Sequence, residues 1–377
     1  MKGKQGLVCM GLLLVLSSCH TGKQITASGL QRKDFQTEVN GQHTDLFTLS
    51  NKQGMEVCIT NYGARVVSIL VPDRNGKRED VVCGFSTITE YMEQRQNFGS
   101  TVGRYIGRIL NARFTLDGVE YKLVPNNGKS GHISHGGNPG FADRIWKVEQ
   151  ADTHRVRLSY LSPDGENGFP GNLKVTLVYS LGEDDNALDL TYEATTDAPT
   201  VLNLSHHSFF NISGNFTKSV EDQQLWVDAD RFTPYDDKKC VTGEYLPVAG
   251  TPLDFRMPHT IGECIDADHP QLKVVNGYDH TWELNTKGDD TRPAAWVYDP
   301  ASGRKMEIFP TEPGMQIYTG NGLKGKMTGK GGIAYPFRSA VCFETMHFQD
   351  SPNQPGFPST VLRPGEVFRS HTVYKFE

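Results

Sequence analysis

Two segments of this chain carry side chains that can give and take a proton near neutral pH: His207, in NLSHHSFFN, and Glu344, in FETMHFQDSPN. With ordinary pKa values of roughly 6.5 and 4.3, the imidazole can donate while the carboxylate accepts in mildly acidic to neutral solution. Each lies among Asn, Ser, Thr, Asp and aromatic side chains, a mixture that suits a polar ligand such as a sugar. An acid and a base on opposite sides of a small molecule are the minimal machinery for a proton-shuttling isomerisation. Neighbouring side chains of an extended segment point to opposite faces, so His206 and His207 cannot easily serve one ligand together. Parity alone does not choose between them.

Three more polar islands accompany these two. NFGSTVGRYIGRI, residues 97–109, holds Arg104 and Arg108; GHISHGG, residues 131–137, holds His132 and His135; GYDH, residues 277–280, holds Asp279. Arg104 reads as a structural ion-pair partner, which leaves Arg108 as the ligand contact. No helical or Cys/His ligand spacing links His132, His135, His206 and His207, so no metal site is expected. Gly320 to Gly325 formally matches G-x-G-x-x-G, but no helix-forming pattern follows it, which excludes a dinucleotide cradle.

The elements that must hold these residues are overwhelmingly β. Met55 to Val71 reads as two strands or one bent one. Asp117-Gly118 marks a hairpin inside 113–124. Leu173 to Tyr192 gives two strands joined at Glu183-Asp184-Asp185-Asn186, and 295–318 and 361–376 repeat the style. Short strands punctuated by 39 Gly and 20 Pro predict an all-β fold, a large antiparallel β-sandwich with few short helices. One short helix is expected over 87–94, capped by Ser86. The Gly-rich stretch 320–332 is expected to be a mobile surface loop. Strand patterns run throughout 34–377 with no internal repeat or linker, which predicts one continuous domain.

The N-terminus reads differently. Lys2 and Lys4 precede an apolar run from Leu7 to Leu16, and Ser17 and Ser18 lead to Cys19, the layout of a signal peptide over residues 1–18. The run is too short to span a bilayer comfortably. Leu16-Ser17-Ser18-Cys19 resembles a bacterial lipobox, so Cys19 is the expected lipidation site and residues 19–33 a polar tether. Removing residues 1–18 takes away two lysines and leaves 36 basic against 44 acidic residues, a formal charge of −8. That balance argues against nucleic acid or an anionic membrane surface as a partner. Membrane association is expected only through the lipid anchor, and the location is the bacterial cell envelope. The five later cysteines, Cys58, Cys83, Cys240, Cys264 and Cys342, are odd in number and lack C-x-x-C spacing. They read as free, mostly buried thiols.

Taken in order, the islands resemble the aldose 1-epimerase (galactose mutarotase) family over nearly the whole mature chain. The family pattern is similar to G-R-x-x-N/G-R-I, L-H-G-G, N-L-T-N-H-S-Y-F-N, G-Y-D-H and E-T-Q-H-x-P-D-S-P-N. SPDGENGFPGNL at 162–173, TPLDFR at 251–256 and STVLRPGEVFRS at 359–370 are also family-like. The resemblance implies a mutarotase-like β-sandwich that interconverts the α and β anomers of free aldoses such as galactose and glucose. It implies Glu344 as general base and His207 as general acid, with Arg108, His135, Asp279 and Gln316 as sugar contacts. No metal or cofactor is implied, and the protein is expected to be a monomer or weak dimer. The chain departs from the pattern at Ser134, His206, Phe209, Met346 and Gln349, where the family usually has Leu, Asn, Tyr, Gln and Pro. None of these removes a proposed catalytic group. The rival readings are an epimerase of another sugar and a surface lipoprotein that only binds carbohydrate.

Overall fold

The computed structural model describes residues 24–377. The signal peptide expected over 1–18 and the lipidation site Cys19 lie outside the described residues. Residues 24–33, expected as part of a tether, instead lie on the sandwich. The Ala27 and Ser28 amides donate to Glu56 at 2.7 and 3.3 Å, Arg32 pairs with Asp45, and Leu30 and Phe35 are buried.

The alternating patterns become strands of the expected kind. Leu173–Leu181 and Ala187–Thr196 pair antiparallel in continuous register. Their alternate residues Leu173, Val175, Leu177, Tyr179, Leu188, Leu190 and Tyr192 enter the core, as period two dictates. Asp117-Gly118 turns the hairpin Arg113–Leu116 / Val119–Lys122. Residues 55–71 form two strands, Glu56–Thr60 and Arg65–Pro72, rather than one bent strand. The helix spans Ile88–Gln94 and is capped by Thr87, not by Ser86. Thr87 accepts the Glu90 amide and Glu90 reaches back to the Thr87 amide, a reciprocal cap that Ser86 is one residue too early to make. The stretch 320–332 is an irregular surface segment pinned to the body. Leu323 is buried, and the Lys330 ammonium pairs with Asp80 at 2.6 Å.

Two sheets organise the molecule. A nine-stranded antiparallel sheet places Phe368–Phe376 between Ala187–Thr196 and Lys305–Pro310. A six-stranded sheet runs in the order Phe209–Phe210, Val341–Met346, Gly314–Tyr318, Asp279–Glu283, Arg231–Thr233, Leu246–Pro247. The sheets meet face to face. Tyr374 donates its hydroxyl to the Phe343 carbonyl at 3.0 Å, and the Thr345 and Thr372 hydroxyls are 2.7 Å apart. Val341, Phe343, Met315, Ile317 and Trp282 project from the six-stranded sheet into this core. Each fully buried apolar side chain of this size contributes about 1.5–3 kcal/mol.

The opposite face of the six-stranded sheet carries the polar residues. Register stacks them in two rows. Thr233, Thr281, Gln316 and Glu344 face one another across four strands, and Asp279, Tyr318, Cys342 and Phe209 do the same one step along.

Candidate active site

From these rows Gln316, Glu344, Asp279, Tyr318 and Phe209 form the floor of a cavity of about 240 Å³, at the small end of ligand sites. Its lining includes Arg108, His135, His207, Asp279, Gln316 and Glu344, so all six residues expected in the site from sequence come together there. The walls come from segments remote in sequence. His207 ends the strand Ser205–His207, which pairs with Ser100–Val102. The loop ahead of Ser100 passes so close to Val66 that a Cβ on Gly99, whose φ is +66°, would lie 1.8 Å from the Val66 carbonyl oxygen. The H-G-G motif has a similar reason. A Cβ on Gly136 would stand 1.9 Å from the Gly103 oxygen, and only glycine lets the His135 loop dock there.

The strand resolves the parity of the two histidines. His206 faces the core, against the rings of Tyr179 and Tyr374, with Nε2 2.6 Å from the Ser208 hydroxyl. Burial lowers its pKa to about 3. His207 faces the cavity, stacked parallel on Phe209 with ring centroids 5.0 Å apart. Its Nε2 lies 3.5 Å from Oε1 of Glu344. Among the described residues Nδ1 of His207 is buried without a partner, so the ring's route for proton exchange is through Nε2. No group among the described residues hydrogen-bonds the Glu344 carboxyl, and the His207 ring is its ion-pair contact. The acid and base expected on opposite sides of a ligand are therefore side by side.

The electrostatics of the pair follow from its depth. Burial, and then the nearby Asp279 carboxyl, push Glu344 well above the ordinary carboxylate value of 4.5. Burial, then His135 and His206, hold His207 well below 6.5. Both directions oppose the charged starting states that unperturbed groups would have. Burial thus favours a carboxylic acid beside a neutral imidazole, which holds the same single proton as a carboxylate beside an imidazolium.

Around the pair, His135 accepts the Gly107 amide on Nδ1 at 3.4 Å, which places the proton of the neutral ring on Nε2. Burial and then Arg108 lower its pKa to about 4. Asp279 is raised by burial and drawn back by Arg108 and Gln316. Arg108 donates from Nη1 to the Lys239 carbonyl at 3.1 Å and keeps its other guanidinium nitrogens free of hydrogen-bond partners among the described residues.

Gln316 is a partial surprise. Its Oε1 accepts from Thr281 at 2.5 Å and from Gln349 at 3.3 Å, while its Nε2 donates to Asp279 at 2.6 Å and reaches Tyr235 at 3.5 Å. All four hydrogen-bonding positions of the amide are engaged, so it acts first as a bracket for Asp279. Gln349, which sequence marked only as a departure from a common Pro, lines the cavity. It donates to Tyr235 at 2.7 Å and accepts the Arg108 amide at 3.3 Å. Asn97, which opens the 97–109 island but was not singled out in it, also lines the cavity, and Tyr235, which lies in no motif of charged or imidazole groups, went unnoticed in sequence.

Arg104, expected in an ion pair, is a buried structural arginine of another kind. It donates to the carbonyls of Pro163, Pro170 and Gly171 and to the Ser162 hydroxyl, because the tight turns there aim these oxygens at it, while the nearby Glu166 carboxylate bonds Ser162 instead. The donor atoms of His207, Cys342 and Glu344 lie within 4.8 Å of one another, a set that could hold a soft divalent cation.

A family model described as Aldose 1-epimerase matches residues 45–375. The chain belongs to the aldose 1-epimerase family. The galactose mutarotase of Bos taurus is 40% identical to this epimerase over 331 residues, 88% of this chain and 93% of its own. The aldose 1-epimerase of Escherichia coli (strain K12) is 36% identical over 339 residues, 89% and 96% of the two chains. Among solved structures, the aldose epimerase homologue from C. elegans superposes with a TM-score of 0.81 at 30% identity, covering 89% of this chain and 99% of that one. The galactose 1-epimerase from Lactobacillus acidophilus NCFM gives 0.78 at 28%, covering 90% and 96%. The epimerase is accordingly an isomerase of the mutarotase type, built on the mutarotase fold.

Proposed function

We propose that the epimerase acts on free aldoses, galactose and glucose among them, with Glu344 as base and His207 as acid. The observation that carries this reading is the 3.5 Å contact of Nε2 and Oε1 at the cavity floor. The two oxygens that exchange protons in anomerisation, O1 and O5, are both bonded to C1. An acid and a base that serve them must themselves be neighbours, as these are.

The hydroxyl donors of a bound sugar favour the charged form of the carboxylate. Passage of the pair's proton from Glu344 to His207 then gives the reactive state without exchange with solvent. Glu344 takes the O1 proton, the C1–O5 bond breaks as the C1=O bond forms, and His207 delivers its proton to O5. Rotation about C1–C2 presents the other face of the aldehyde. Reclosure with the roles reversed yields the second anomer and restores the pair. Arg108, His135 through Nε2–H, and Asp279 hold ring hydroxyls, with Gln316 bracing Asp279. The step is redox-neutral and transfers no group.

Ser134, Phe209, Met346 and Gln349 line the cavity where the family pattern has Leu, Tyr, Gln and Pro, so sugar preference rests on these four. The test is the decay of optical rotation of freshly dissolved α-D-galactose and α-D-glucose with purified protein and with Glu344→Gln. Acceleration by the wild type alone supports the assignment, whereas full activity in Glu344→Gln overturns it. We further propose export to the cell envelope with lipid attached to Cys19, as a monomer or weak dimer. The residues 1–19 pattern supports the first part; membrane fractionation of the wild type against Cys19→Ala, followed by sizing of the solubilised protein, tests both.

A further inference from the structure

One group on the polar face of the six-stranded sheet has no part in the chemistry above. Cys342 lies two residues before Glu344 on the strand Val341–Met346, so the two side chains leave the same face. Its cross-strand neighbours are Phe209 and Tyr318, and it is a fully buried free thiol. Burial, and then Glu344, hold the thiol well above its ordinary value, so it stays protonated while the acid–base pair works.

Its sulfur completes a set of three donors. Sγ of Cys342, an imidazole nitrogen of His207 and a carboxylate oxygen of Glu344 lie within 4.8 Å of one another, and no residue of the three is more than 5% exposed. The 3.5 Å between Nε2 and Oε1 is close to the edge of about 3.3 Å that such ligands make around a tetrahedral zinc ion. A sulfur ligand needs an edge of about 3.6 Å, so a shift of roughly 1 Å closes the set. Imidazole, thiolate and carboxylate are the donors that zinc takes, whereas Mg²⁺ and Ca²⁺ call for oxygen alone. Binding displaces the thiol proton and the single proton held by the pair, and both go to solvent. Thiolate, carboxylate and neutral imidazole around a dication sum to zero, so the buried complex carries no uncompensated charge. Glu344 and His207 line the cavity, which gives the ion its way in and leaves its fourth position to water.

We propose that His207, Cys342 and Glu344 form a binding site for zinc and zinc-like divalent cations, and that the occupied enzyme is inactive. The ion takes the lone pairs that Glu344 and His207 need to exchange protons with O1 and O5. Among the described residues Nδ1 of His207 lacks the acceptor that orients the histidine of a resident metal centre, which makes the ion a reversible inhibitor and not a cofactor. This inference rests on the reading of the pair as acid and base, and the experiment separates the two.

Purified enzyme stripped with EDTA is titrated with Co²⁺ and followed by absorption. Zn²⁺ inhibition of α-D-galactose anomerisation is followed by polarimetry, in wild type, Cys342→Ala and Cys342→Ser. Cys342 does not line the cavity, so the variants should keep their metal-free kcat/KM within about twofold. The expected result is a thiolate-to-cobalt charge-transfer band in the wild type that both variants lack. Zn²⁺ should inhibit reversibly, with EDTA restoring activity, and its inhibition constant should rise at least about tenfold in the variants. Saturating galactose should weaken cobalt binding to the wild type, which places the ion at the pair without any substitution. No thiolate band, or one that galactose does not weaken, overturns the site. So does a band that persists in the Cys342 variants, which reports the rival thiol Cys240, 3.2 Å from His132. In these cases galactose anomerisation by the metal-free wild type leaves the acid–base reading standing. Cobalt bound through Cys342 with anomerisation undiminished overturns both the inhibition and the acid–base roles. A metal-free enzyme that accelerates no sugar overturns both as well.

Discussion

His207 and Glu344 touch at 3.5 Å although they belong to different sheets: His207 pairs with Ser100, whereas Glu344 lies opposite Gln316. Their meeting is a tertiary event, and it converts two buried groups with opposed pKa shifts into one unit that holds a single proton.

Glu344→Gln keeps the shape of the side chain and removes its capacity to accept a proton. We expect kcat to fall by roughly 10² to 10⁴, the range of one general acid–base group, with KM nearly unchanged. His207→Asn should cost a similar factor. The double variant should be little worse than either single one, because the two act as a unit. Polarimetry with α-D-galactose reads all three.

The pH profile should be broad. With Glu344 raised from 4.5 and His207 lowered from 6.5, the pair gains a second proton only below the depressed His207 value. It loses its last proton only above the elevated Glu344 value. The acid limb of kcat/KM therefore belongs to His207 and the alkaline limb to Glu344, and activity should persist above pH 6.5. A narrow optimum confined between 4.5 and 6.5, as unperturbed groups would give, would contradict this assignment.

Gln349 bridges Gln316, Tyr235 and the Arg108 amide, and through Gln316 it fixes the Asp279 carboxyl. Gln349→Ala should raise KM for galactose about fivefold, the worth of one net hydrogen bond of about 1 kcal/mol, and lower kcat by less than twofold. Initial-rate kinetics separate the two. A fall in kcat alone would place Gln349 in the chemical step instead.

Arg104→Ala removes a guanidinium whose pKa burial lowers to about 10, still charged at neutral pH. It leaves the Pro163, Pro170 and Gly171 carbonyls and the Ser162 hydroxyl without their donor. A loss of about 3 kcal/mol or more is expected in urea unfolding. Any folded fraction should keep its KM for galactose, since Arg104 does not line the cavity.

His371 is clamped on the nine-stranded sheet between Asp189 and Asp290, each at 2.6 Å, and these bonds raise its pKa from 6.5 to about 9. The folded value exceeds the unfolded one, so the stabilisation is complete below 6.5 and is lost as pH rises through about 9. The side chain is 30% exposed, and solvent screening holds the effect to about 1 kcal/mol. His371→Gln should lower Tm by roughly 2 °C at pH 6 and leave it unchanged at pH 10 by calorimetry.

What the sequence determined by itself is local. Alternation in 173–181 and 187–196, and Asp117-Gly118 between its flanks, specify strands and a hairpin because period two and turn geometry are properties of a few adjacent residues. The motifs likewise named every imidazole and every charged group that lines the cavity: Glu344, His207, His135, Arg108 and Asp279.

The tertiary structure decided what those residues face. Alternation says that His206 and His207 point opposite ways, but only the packing of Tyr179 and Tyr374 beneath the strand assigns His206 to the core. Cross-strand register sets Gln316 beside Glu344 and Thr281, and a saturated amide follows from that placement. The turns around Ser162 and Pro170 supply Arg104 with oxygens in place of a carboxylate. The depth at which the sheets bury Glu344 and His207 sets the direction of both pKa shifts. Each of these depends on partners distant along the chain, where burial and register are properties of the assembled sheets and not of any segment.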